Sequence, residues 1–165
     1  MSAKHLFPIA MGCFFIFYVS LMLRQPSFTF QKGDIFFQDL DCGPPCEAIE
    51  AVTQGYKGSN LSHCAIITEV GTDLKTTILT EAIGETVAET TLEQFLNRSN
   101  KVLVGRLKKE HSELIPIALK HIEDNLIGKP YDFIFDITDD TYYCSEIIYE
   151  GLQAVSYTHL RAHET

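Results

Sequence analysis

Cys144 is the residue of this chain on which covalent chemistry could most directly be built. It follows Tyr142-Tyr143 at the expected start of a helix, where unpaired backbone N–H groups and the helix dipole favour negative charge. Such a position lowers a thiol's pKa, and the thiolate is the nucleophilic form. The same N–H groups can hold the oxyanion of an acyl transfer. The competing reading is an inert cysteine on an apolar helix face, since free cysteine is among the most buried residue types. A thiol nucleophile needs a base, usually histidine. His5 precedes an apolar run, and His111 and His121 lie in a helical stretch rich in Glu and Lys. His63 instead opens an apolar strand directly after a polar loop, an edge from which a side chain reaches a cleft; the alternative there is a surface or capping histidine. A third group should orient the imidazole. Glu81 is an acid within an otherwise apolar strand. With a hairpin turn centred on Thr72, His63 and Glu81 would fall directly opposite each other on one sheet face.

The other polar groups read less sharply. Cys42-Gly-Pro-Pro-Cys46 admits a small disulfide loop, two free thiols, or half of a zinc site for which no second pair exists. Cys64 follows His63 on a strand, so it is expected on the opposite face, as a core residue behind the sheet. Asp34, Tyr142 and Tyr143 are candidates for contact with substrate. For Asp34 and Asp132, at turn or strand ends, backbone bonding is the competing role. The acidic stretch Asp136–Asp140 lacks the spacing of a calcium loop and reads as a solvated turn. No metal site and no cofactor is assigned.

The elements that must position these residues follow from periodicity and turn residues. Strand-like segments are expected at Ser27–Phe30 and Asp34–Gln38, either side of Lys32-Gly33-Asp34. Pro44 and Pro45 open a helix over Cys46–Tyr56. His63–Val70 and Thr76–Ala82 form a hairpin, and Thr86–Glu89 adds a short strand. Thr91-Leu-Glu-Gln94 resembles a capping box for a helix ending near Asn97. Val102–Leu107 is a strand, Ser112–Leu126 a helix closed by Gly128 and Pro130, and Tyr131–Ile137 extended. The last helix spans Tyr143–Ala154. Strands and helices mix without regular alternation, which predicts α+β architecture, an antiparallel sheet packed with helices.

At 165 residues the chain has room for one domain and an appendage. Its net charge of -9 excludes a nucleic-acid partner of the usual kind, which requires clustered Lys and Arg. Residues 1–26 differ in kind: after Lys4, an apolar run from Leu6 to Leu23 stops at Arg24. That length suits a signal anchor, or a signal peptide with a long core. Either places the domain, residues 27–154, outside the cytoplasm in the cell envelope, with the membrane as a partner through the terminal segment. Residues 155–165 resemble the translation of a sequencing adapter, so His159 and His163 are set aside.

Together, Gly33-Asp34-Ile35-Phe36-Phe37, Ser62-His63-Cys64-Ala65-Ile66-Ile67, Glu81-Ala82, Tyr131-Asp132-Phe133 and Tyr143-Cys144-Ser145-Glu146 resemble the YiiX/YebB-like group. These are circularly permuted members of the NlpC-like papain-fold superfamily, in which the histidine precedes the cysteine. The resemblance covers residues 28–154. It implies a permuted papain-like fold and a Cys-His-acid triad at Cys144, His63 and Glu81. It also implies a thiol hydrolase of amide bonds, often in cell-wall (peptidoglycan) peptides, with lipid-directed acyl transfer known in more distant relatives. A thiol-dependent acyltransferase or lipid hydrolase using the same thioester is one alternative, and a non-catalytic membrane-anchored binding module is the other.

Overall fold

The computed structural model describes residues 28–53, 55–99 and 101–162, the side chains of 155–162 excepted. The chain divides into two units, Met1–Phe30 and Gln31–Thr165, and the second carries the fold. The expected anchor or signal, residues 1–26, lies outside the described residues. Among those, no helix is long and apolar enough to cross a membrane.

Five strands form one antiparallel sheet in the order β4-β3-β2-β1-β5: β1 (Ile35–Gln38), β2 (His63–Glu69), β3 (Ile78–Ile83), β4 (Thr86–Thr91) and β5 (Val102–Gly105). Gly33 sets the entry to β1. Its φ of 83° suits glycine, and a Cβ there would lie 2.6 Å from the Ile115 side chain. The β2–β3 register pairs Ile66 with Thr80 and Ile67 with Leu79, then shifts through an irregularity before Glu69.

Strand alternation gives the sheet two buried faces. On one, Ile66, Ala82 and Val87 pack with Leu119, Ile122 and Leu126 and with Ile147. These last residues belong to or flank α3 (Ile115–Asn125) and α4 (Cys144–Ala162). On the other, Phe36 meets Phe95 of α2 (Leu92–Leu96) edge to face at 5.8 Å. The capping box forms: Gln94 N–H donates to the Thr91 hydroxyl, and the Gln94 side chain accepts from the Thr91 N–H. This fixes where α2 starts, and so where Phe95 and the following Arg98 stand.

Several expectations shift for local reasons. Phe28–Phe30 has no regular secondary structure. Helix α1 is Pro44–Val52, because Thr53 turns extended; a separate 3-10 turn covers Tyr56–Gly58. Lys109–Leu114 is also 3-10, and α3 begins at Ile115, with Pro116 in the first turn where no N–H is needed. The segment expected to be extended over Tyr131–Ile137 makes one bridge, Tyr131 to Tyr142, and then folds around Asp132. The buried Asp132 carboxylate accepts the N–H groups of Ile134 (2.7 Å), Phe135 (2.9 Å) and Asp136 (2.7 Å), and Phe135 takes φ 56°. Side-chain bonding to successive backbone donors has replaced strand pairing.

Candidate active site

Cys144 is the first residue of α4, so its own N–H and that of Ser145 lack intrahelical acceptors, whereas the Glu146 N–H donates to the Tyr143 carbonyl at 3.1 Å. The Glu146 side chain takes the Tyr143 N–H at 3.3 Å, leaving the Cys144 and Ser145 end of the turn facing the cleft, which both residues line. His63, the first residue of β2, packs its ring on Phe95 (centroids 6.1 Å apart). Its Nε2 meets Glu81 Oε2 at 2.7 Å. His63 and Cys144 line one cavity and interact electrostatically, and with Nε2 held by Glu81 the nitrogen left for the sulfur is Nδ1. Both carboxylate oxygens of the fully buried Glu81 accept from Arg98 Nη2 at 2.7 Å. Arg98 in turn lies over the Phe95 ring, 5.1 Å from its centroid. Imidazole, carboxylate and guanidinium thus form one hydrogen-bonded chain, with the Cys144 sulfur in the cavity at its His63 end.

The register differs from expectation by two positions. Continuing the Ile66–Thr80 pairing puts Ala65, not His63, opposite Glu81. His63 therefore reaches Glu81 diagonally. A shift of two preserves the face, so the contact survives; a shift of one would have abolished it. Cys64 is a larger correction. It is buried in the core as expected, yet it also lines the cavity of His63 and Cys144, and its electrostatics are tied to the Cys144 sulfur. Alternation does separate the two side chains, but α4 begins across the end of β2, where neighbours from both faces reach the sulfur.

The electrostatics follow from these contacts. The Cys64 thiol donating to Cys144 outweighs the cost of burial, and with His63 brings the Cys144 thiol down to about 4. Burial opposes a charged imidazole, yet bonds to Cys144 and Glu81 push His63 up to about 9. Burial likewise favours a neutral Glu81, but His63 and Arg98 hold its carboxyl below the usual range. The hydrogen bond to Cys144, together with burial, raises Cys64 well above its ordinary value. The resting site is a thiolate–imidazolium pair, with Cys64 kept protonated as a donor. Thiolate-dependent activity is therefore expected to be flat across neutral pH. It should fall below about 4, as the sulfur takes a proton, and above about 9, as His63 loses the one it must deliver; a pH–rate profile reads both limbs. Cys64→Ala should move the acidic limb of thiol alkylation up from about 4 by about one pH unit, the worth of one hydrogen bond to a charged group, while Cys64→Ser should leave it nearly in place.

A sequence model of the permuted papain-like amidase enzymes, the YaeF/YiiX, C92 family, matches residues 29–164. The chain belongs to that family. It is accordingly a cysteine hydrolase of the amidase type, with the circularly permuted papain-like α+β fold implied by its motifs. The match runs through residues set aside above as adapter-like. Among solved structures, the crystal structure of the metalloprotein yiiX from Escherichia coli O157:H7 is similar. It is 30% identical, with a TM-score of 0.58, over 78% of this chain and 67% of that one. No curated protein matches. Among the described residues of this amidase, no group of three or more His, Cys, Asp or Glu could hold a metal ion, and His63 Nε2 is committed to Glu81. The donor set does not fit a metal at this site.

Two cavities, of about 300 and 410 Å³, meet at Ile49, Ser62 and His63. The first holds Cys144 and Ser145, and the second is walled by Tyr131, Phe133 and Phe135. Cys42 and Cys46 are joined, with Cα atoms 5.4 Å apart, and line the second cavity at the start of α1. The expected substrate contacts are placed elsewhere. Tyr142 packs on the core and Tyr143 on Phe135 (5.3 Å), and neither lines either cavity. Asp34 stands at the far end of β1, fully buried, taking Arg106 Nε at 2.6 Å, Arg106 Nη2 at 2.8 Å and the Gln31 N–H at 2.9 Å. Asp34→Ala is expected to cost about 3 kcal/mol in denaturant unfolding while leaving turnover per folded molecule unchanged.

Proposed function

We propose that this amidase hydrolyses its substrate through Cys144 as nucleophile, His63 as base and then acid, and Glu81 as the group that positions His63. The observation that carries this reading is the hydrogen-bonded His63–Glu81 pair sharing one cavity with Cys144 at a helix start. The Cys144 thiolate bonds to the amide carbon while the first-turn N–H groups of α4 take the developing oxyanion. The C–N bond breaks as the imidazolium delivers its proton to the departing amine. Water, deprotonated by His63, then cleaves the thioester to the free acid and restores the thiolate. Quenching a reaction and finding the acyl group on Cys144 by mass tests this. Hydrolysis without such an adduct would defeat it.

Stem peptides of peptidoglycan are the substrate class the resemblance implies, and digestion of purified muropeptides, read by mass, tests it. Acyl transfer to an amine or alcohol through the same thioester is the second reading; the apolar walls of the cleft favour it. A degenerate binding module is disfavoured by the shared cavity of Cys144 and His63, with Glu81 holding the imidazole. We place the domain outside the cytoplasm, supported by the apolar run Leu6–Leu23 and by the Cys42–Cys46 bond, which suits an oxidising compartment. Protease accessibility on intact cells tests that placement.

A further inference from the structure

Strand β1 delivers one polar side chain to the buried face that carries His63. Gln38 closes that strand, is fully buried, and pairs in register with His63, so the two side chains leave the sheet on the same side. Its neighbour on that face, Phe36, packs on Phe95. Nothing in apolar packing asks for an amide here, and an amide without partners costs free energy in such a place. One half of it is satisfied: Nε2 donates to the Phe95 carbonyl at 3.4 Å. That carbonyl lies near the end of α2, where the last oxygens have no intrahelical donor, and it also takes the Arg98 N–H at 3.2 Å. The Gln38 amide and the Arg98 main chain are thus pinned to one oxygen atom.

The Arg98 side chain lies over the Phe95 ring and gives its Nη2 to both oxygens of Glu81, which in turn holds His63. Its Nε takes no part in that contact. Among the described residues only two buried side-chain polar atoms have no hydrogen-bond partner: Arg98 Nε, a donor, and Gln38 Oε1, an acceptor. Buried polar atoms are nearly always paired, and these two are complementary and tethered to the same carbonyl. We propose that Gln38 is a positioning residue of the site: its Oε1 accepts from the Arg98 Nε–H, directly or across one buried water, and so fixes the guanidinium that holds Glu81 on His63. The amide oxygen takes Nε and leaves Nη2 to Glu81. This inference rests on the roles proposed for Glu81 and His63, and a test that reads protons rather than turnover lets it fail separately from them.

Nitrogen–proton magnetic resonance spectra of the isotope-labelled full chain test this, with the Arg98 Nε–H signal assigned by its absence from Arg98→Met. In the wild type that proton is expected at low field and slow to exchange with deuterated water, beside a low-field His63 Nε2–H. Gln38→Met keeps the length of the side chain and removes both polar atoms. It should speed exchange of the Arg98 proton about tenfold, the worth of one hydrogen bond to a charged group. It should also broaden the His63 signal, with the circular dichroism spectrum unchanged. Gln38→Glu keeps an oxygen for Arg98 and discards the donor to Phe95, so it should retain the slow exchange that Gln38→Met loses. A wild-type Arg98 proton that exchanges as freely as in the unfolded chain, or one indifferent to Gln38→Met, overturns the proposal. Fast exchange in both variants overturns it too, because Gln38 would then act through the Phe95 carbonyl alone. Should Gln38→Met fail to fold, the wild-type signal decides.

Discussion

Replacement of Cys144 by Ala is expected to take amide turnover to the uncatalysed background, a fall of about six orders of magnitude. The scale follows from how the site divides its labour. In the proposed mechanism the sulfur alone makes and breaks the bond to the acyl carbon, and no other described thiol can substitute: Cys42 and Cys46 are bonded to each other, and Cys64 is held protonated. His63→Ala separates the two jobs proposed for the imidazole. Without it the sulfur loses one of the partners that keep it ionised, and the departing amine loses its acid. Turnover should fall by roughly three to four orders of magnitude, and the ultraviolet absorbance of the thiolate should weaken at neutral pH. A His63→Ala protein with the wild-type thiolate signal would show that Cys64 and the helix start suffice to ionise Cys144, and the imidazole would then be the acid alone.

Glu81→Gln carries the second large effect, and it acts on two quantities at once. A neutral amide cannot accept from His63 and Arg98 as a carboxylate does, so the imidazolium loses its stabilising anion. A fall in kcat of about four orders of magnitude is the scale expected when a neutral amide replaces such an acid. The alkaline limb of the pH profile should also move down from about 9, because an imidazolium without its carboxylate gives up its proton sooner. Stability changes as well. Glu81 is the buried counter-charge of Arg98, and breaking a buried pair from one side costs about 3–5 kcal/mol. Arg98→Met relieves the opposite partner and separates the effects. It should lose stability by a similar amount while keeping a carboxylate on His63, and so retain far more activity than Glu81→Gln. Equal losses of activity in the two variants would mean that Glu81 matters only as a piece of the scaffold.

How far the site could be read in advance depends on how local each contact is. Cys144, His63 and Glu81 carry visible signals: a thiol at a helix start, a histidine at a strand edge, an acid within an apolar strand. Their face relation survived an error in register because only parity matters across a sheet. The box at Thr91 and Gln94 was legible because its partners are three residues apart. Arg98 was not, since it reaches Glu81 only after α2 has folded over Phe36 and turned back. Cys64 was misplaced by the same alternation rule that placed Glu81. The rule describes the interior of a sheet, and Cys64 stands at an end crossed by a helix. Asp34 has a strong motif neighbourhood, but that neighbourhood fixes the β1 turn through Arg106, at the opposite end of the strand from His63.

The carboxylate of Asp132, bonded to three backbone donors in succession, has a thermodynamic consequence for the aromatic wall. The segment carrying Phe133 and Phe135 gives up its conformational freedom when the chain folds, so a ligand arriving later does not have to order it. Association with such a wall should be governed by desolvation of a ready-made surface. Calorimetry on any ligand seated against this wall would then find a negative heat-capacity change, the mark of apolar burial. The entropic penalty of freezing a loop, which usually weakens binding to aromatic segments in irregular chain, would be small.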